Sequence, residues 1–135
     1  MTETLLAIGT QKGLFLGHSS DRAGWKFSGP HFQMNAVYSA AIDRRGGRVR
    51  LLAGADSSHW GPSVWWSDDL GESWHEPPRP AVKFPEHTGT SLERVWQLQP
   101  AGAEAPGFDA ARADSALPVV RLLLGLDAQE GAADV

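Results

Sequence analysis

One eight-residue stretch constrains this chain more than any other: Ser67-Asp68-Asp69-Leu70-Gly71-Glu72-Ser73-Trp74, of the form S-x-D-x-G-x-x-W. It follows directly on an apolar run, Val64-Trp65-Trp66. The Asp69 carboxylate is placed to accept hydrogen bonds from the backbone N–H groups of its own turn. Gly71 takes a positive φ without steric cost. Trp74, on the return strand, folds back over the turn and buries a large apolar face. The Ser67 hydroxyl ties the strand end to the loop. The stretch predicts a tight hairpin, and strand alternation sends Trp65 and Trp66 to opposite sides of the sheet.

The elements around this hairpin recur. Leu5-Leu6-Ala7-Ile8-Gly9-Thr10 reads as a buried strand running into a turn, and Leu51-Leu52-Ala53-Gly54-Ala55-Asp56 reads the same way 46 positions on. Val120-Arg121-Leu122-Leu123-Leu124-Gly125-Leu126-Asp127 matches residues 49–56 at six of eight positions. After the first copy, Ser19-Ser20-Asp21-Arg22-Ala23-Gly24-Trp25 is a degenerate version of the S-x-D-x-G-x-x-W pattern. Trp25 and Trp74 stand 49 residues apart. A further strand precedes the later copies, at 36–43 and at 94–100. A repeat of this length, built from short strands, suits one four-stranded propeller blade.

The S-x-D-x-G-x-x-W stretch resembles the Asp-box, or BNR repeat, of β-propeller proteins such as sialidases, some endoglucanases and sortilin-type receptors. The resemblance implies an all-β propeller. With strands labelled A to D outward from the axis, strands B to D of a first blade occupy about 4–28. A second blade occupies about 36–76, and an incomplete third about 93–135. About two and a half blades cannot close a ring and leave open edges. The expectation is therefore an N-terminal piece of a longer chain, with 101–117 as a long A–B loop or a departure from the pattern.

Bulk composition limits the function classes. The 135 residues are 41% hydrophobic and 21% charged, ordinary for one soluble domain or part of one. The net charge of −4 and scattered Lys and Arg argue against a nucleic-acid partner. The absence of cysteine excludes disulfides and thiolate metal sites. No apolar run approaches the roughly 18 residues of a membrane span, and no signal peptide is legible at the start. A cytoplasmic protein without membrane partner or cofactor is expected.

In a propeller the D–A and B–C loops share the face that binds ligand. That face is expected to carry Lys12, His31, Asn35, Asp56, His59, Trp60, Glu86, His87, Glu93 and Arg94. The Asp-box residues Ser67, Asp69, Gly71 and Trp74 are structural in this reading. Three chemistries suit the face. The first is non-catalytic binding of a small molecule, glycan or protein. The second is glycoside hydrolysis, with Trp60 as a stacking platform, Asp56, Glu86 and Glu93 as carboxylates, and Asp56, Glu93 and Arg94 as the catalytic candidates. The third is a trihistidine metal site of His31, His59 and His87. The bland alternative has Asp56 capping a turn and Glu93 and Arg94 pairing with neighbours. Sialidases carry an arginine triad, an Arg-Ile-Pro motif and a tyrosine nucleophile with a glutamate partner. Here no Arg-Ile-Pro occurs, Arg94 and the turn arginines do not assemble the triad, and the only tyrosine, Tyr38, lies near the start of an A strand with Glu93 a blade away. Binding is the expected function.

Overall fold

A computed structural model describes residues 3–59, 61–78, 84–100, 120–123 and 132–134. Trp60 and residues 101–117 lie outside the described residues. The described residues form nine strands: β1 (Thr4–Thr10), β2 (Gly13–Ser19), β3 (Lys26–His31), β4 (Ser39–Asp43), β5 (Arg50–Ser57), β6 (Gly61–Ser67), β7 (Gln97–Pro100), β8 (Val120–Leu123) and β9 (Ala132–Asp134). They make three antiparallel sheets in the orders β1-β2-β3, β4-β5-β6 and β7-β8-β9. Each strand pairs antiparallel with its sequence neighbour, and a two-residue turn joins β1 to β2. The protein is all-β in small sheets, and among the described residues no helix is long and apolar enough to cross a membrane.

Three segments are shorter than the sequence suggests. The strand expected over 36–43 begins at Ser39. Its lead-in is used elsewhere: Val37 N–H donates to Thr10 O of the first sheet at 2.8 Å. The strand expected over 94–100 likewise begins at Gln97. The return strand after Trp74 is one bridge, Trp66 opposite His75, closed by two backbone hydrogen bonds of 2.9 and 2.8 Å.

The sheets pack through two apolar clusters. Leu14 and Leu16 of the first sheet meet Val37, Leu51, Ala53 and Ala55, with Trp65 and Trp74 against them. On the other side of the second sheet, Leu52 and Val64 meet Val95 and Leu98, with Trp66 against them. Alternation along β5 explains the split: odd residues face one neighbour and Leu52 faces the other. A strand covered on both faces reads as a continuous apolar run, and residues 50–55 are all buried. Trp65 and Trp66 go to opposite sides, as alternation requires.

Two glycines set the approach between sheets. A Cβ at Gly9 would meet Val37 O at 2.5 Å, and one at Gly54 would collide with Ser39 Oγ and reach Val95 Cβ at 3.0 Å. The same valine, at the entry to the following sheet, therefore sits on a bare strand both times. Ser39 Oγ then donates to Val95 O at 2.7 Å, a buried link between second and third sheets.

Candidate functional site

The box of the second sheet closes as its sequence predicts. Ser67 is fully buried. Its hydroxyl donates to Asp69 Oδ1 at 2.7 Å and accepts from Gly71 N–H at 2.8 Å. Asp69 also accepts from Ser73 N–H at 2.9 Å and from the Ser73 hydroxyl. The Ser73 hydroxyl leads the donors that hold the Asp69 carboxyl down to about 2. Gly71 adopts φ 93°, and the preceding Leu70 is also left-handed at 57°. Asp68 serves elsewhere: the buried Arg50 guanidinium grips it with bonds of 2.6 and 2.7 Å, which lowers its pKa.

Trp74 packs on Phe32, with ring centroids 4.8 Å apart, and its indole N–H donates to His31 Nδ1 at 3.4 Å. An indole only donates, so Nδ1 is unprotonated and the ring proton lies on Nε2, 3.2 Å from Ser28 Oγ. Burial pushes the His31 pKa below its usual value, against an opposing pull from Glu72. Phe32 holds a left-handed φ of 56°, uncommon for a bulky residue. Its ring is inserted between Trp65 and Trp74.

The residues expected on the ligand face are placed as follows in the structure. His31 ends β3 and is committed to Trp74 and Ser28, not to an open loop. His59 Nδ1 lies 2.9 Å from Glu76 Oε1, and the Ser57 hydroxyl donates to the other Glu76 oxygen, which lowers the Glu76 pKa. His87 sits in an exposed single turn, Glu86–Thr88. The structure does not gather His31, His59 and His87, and among the described residues no three His, Asp or Glu side chains converge as a metal site. Lys12 and Asn35 are exposed turn residues. Lys12 contributes its carbonyl to Met34 N–H, and Asn35 N–H donates to Phe32 O. Glu86 is exposed in the same turn as His87.

Asp56 and Arg94 do come together. They line one shallow recess with Tyr38, Pro62, Ser63 and Val95. The Arg94 guanidinium lies 5.0 Å from the Tyr38 ring centre and 5.4 Å from that of Trp96, and the two rings are 5.5 Å apart. Tyr38 and Trp96 remain 39% and 46% exposed. Glu93 stands 3.8 Å from Arg94. The Ser63 hydroxyl is buried against the recess and has no partner among the described residues. The ring pair was missed by reading loops alone. Its signal was present: Val37-Tyr38 and Val95-Trp96 put an aromatic residue at the same place before each inner strand.

Comparison with models of known protein families finds no match, and comparison with curated proteins finds none either.

Proposed function

We propose that the three sheets are consecutive blades of an Asp-box propeller, and that the chain is a binding scaffold whose ligand rests on Tyr38, Arg94 and Trp96. One observation carries the reading: a guanidinium spanning two exposed aromatic rings at the mouth of a recess. Such an arrangement offers flat apolar area with a fixed cationic centre. Exposed aromatics and arginine are the residue types enriched where proteins hold partners. The exposed Asp56 adds a hydrogen-bonding group beside it. The ligand chemistry that fits is a ring or planar group bearing an anionic or acceptor substituent, on a small molecule, a glycan or a protein. The blade reading is supported by the repeated three-strand meander, by boxes after β2 and β6, and by packing of successive sheets on one another. Both β2 and β6 are strand C when the first sheet is taken as strands B to D and the second as A to C.

The test is titration with glucuronate, N-acetylneuraminate, benzoate and a neutral glucoside, following the Tyr38 ring and Trp96 indole signals by NMR. Saturable shifts that vanish in Arg94→Ala are expected. Binding unchanged in both Arg94→Ala and Trp96→Ala, or no shift with any probe, contradicts the proposal.

A second reading is glycoside hydrolysis. It is favoured by Asp56 and Arg94 lining one recess with Tyr38, and by Glu93 standing 3.8 Å from Arg94. Release of nitrophenol from an aryl-glycoside panel, abolished in Tyr38→Phe, is its expected outcome. No turnover with any member of the panel removes it.

A further inference from the structure

The first box is one residue shorter than the second, and its aspartate is held differently. In the second box both Asp69 oxygens are occupied, Oδ2 by the Ser73 hydroxyl. In the first box Asp21 Oδ1 accepts from Ser19 Oγ, Ala23 N–H and Gly24 N–H, at 3.2, 2.9 and 2.8 Å. The residue before Trp25 is Gly24, where the residue before Trp74 is Ser73. The first box lacks that hydroxyl, and Asp21 Oδ2 has no partner among the described residues. A hollow of about 500 Å³ opens at this place, lined by Glu3, His18, Asp21, Trp25 and Lys26. Small-molecule sites typically measure about 300–1,000 Å³.

We infer that this hollow is a binding site for a neutral, hydroxyl-rich ring such as a hexopyranoside. Its lining carries carboxylate acceptors in Glu3 and Asp21 and an ammonium donor in Lys26. His18 Nδ1 lies 3.4 Å from Glu3 Oε1, which places an imidazole among them. A cationic ligand meets Lys26 and an anionic one meets two carboxylates, whereas hydroxyl groups satisfy both kinds of partner. Trp25 supplies the apolar face that a sugar ring stacks on. The indole is held in place: it stacks on Phe27 at 6.2 Å and 24°, and it lies over Gly17, where a Cβ would come within 3.1 Å of the ring. The degenerate box thus trades a structural hydroxyl for a free carboxylate oxygen beside an aromatic wall. This site is separate from the Tyr38–Arg94–Trp96 surface and does not depend on it.

The decisive variant is Gly24→Ser. A side chain there has room, since a Cβ meets only Asp21 Oδ1, at 3.8 Å. A serine side chain there enters the hollow beside Asp21, so the fold is kept while the site is narrowed. Methyl glucoside, galactoside and mannoside are titrated into the full chain, with choline and acetate as cationic and anionic probes, following the Trp25 indole N–H by NMR. At least one hexoside is expected to shift that signal saturably. Affinity is expected to fall by about tenfold in Gly24→Ser and by several-fold in the exposed-site variant Glu3→Gln, with melting temperatures unchanged or raised. Three results overturn the inference: no hexoside shifting Trp25 up to about 100 mM, choline or acetate binding more tightly than every hexoside, or hexoside binding unchanged in both variants.

Discussion

At the scale of single residues, Ser67 bears the greatest structural demand in the second box. Its buried hydroxyl both donates to Asp69 and accepts from Gly71 N–H. Ser67→Ala leaves that buried N–H without a partner, which typically costs about 1–3 kcal/mol. A lower denaturant midpoint with an unchanged slope checks it. Ser73→Ala, at an exposed position, is expected to cost less. His31 supplies a pH-dependent counterpart. Its folded-state pKa is lowered, so the folded state binds fewer protons than the unfolded chain. The associated stability is present above the unfolded value near 6.5 and is lost as pH falls below it. Protonation at Nδ1 also removes the acceptor that Trp74 uses. His31→Gln is expected to flatten the decline in melting temperature between pH 7 and 5. An equal decline in variant and parent contradicts this role.

At the scale of elements, the junction between sheets depends on bare strands at Gly9 and Gly54. A methyl group at either position runs into the valine segment that enters the next sheet. Overpacking of this kind costs about 1–3 kcal/mol. Gly54→Ala should weaken the contact of the second and third sheets, and Gly9→Ala that of the first and second. Hydrogen exchange then rises selectively around Val95 in the first variant and Val37 in the second. The strands and the boxes were legible because they rest on local physics: alternation, a positive-φ glycine and a carboxylate beside its own turn. The joint role of the two glycines was not legible. The repeat pairs Leu5 with Leu51, which puts Gly9 opposite Ala55, one residue away from the glycine that packs on the equivalent valine. Nor did the sequence reveal that residue 31 would be spent on Trp74. Loop residues read one by one give no contact across a sheet interface, which is also why Tyr38 and Trp96 were not paired with Arg94.

At the scale of the whole molecule, charge is used locally and in one direction. Hydrogen bonds from Gly24 and Ala23 N–H lower Asp21, and the Arg50 bond lowers Asp68. The Ser57 hydroxyl lowers Glu76. For Asp43, burial opposes ionisation, but hydrogen bonds from Arg45 outweigh it and the pKa falls. Asp69 is held at about 2. All five carboxyls therefore favour the fold while ionised. Their contribution is complete above the unfolded values near pH 4 and disappears progressively toward pH 2. Circular dichroism should show unfolding on acidification through that window, and Asp69→Asn should remove part of the dependence. A melting temperature independent of pH between 5 and 2 contradicts it.

The stacking of second sheet on third is the step on which both the blade reading and the candidate ligand surface rest. Tyr38 is the only tyrosine, so its ring resonances are unambiguous. A nuclear Overhauser experiment on the isotope-labelled chain therefore tests the account most directly. Cross-peaks from the Tyr38 ring to the Trp96 indole and to the Arg94 side chain are predicted, with the Arg94 δ-protons shifted upfield by the two rings. Tyr38 signals at random-coil positions, without cross-peaks to either residue, would contradict the stacked arrangement and the surface built on it.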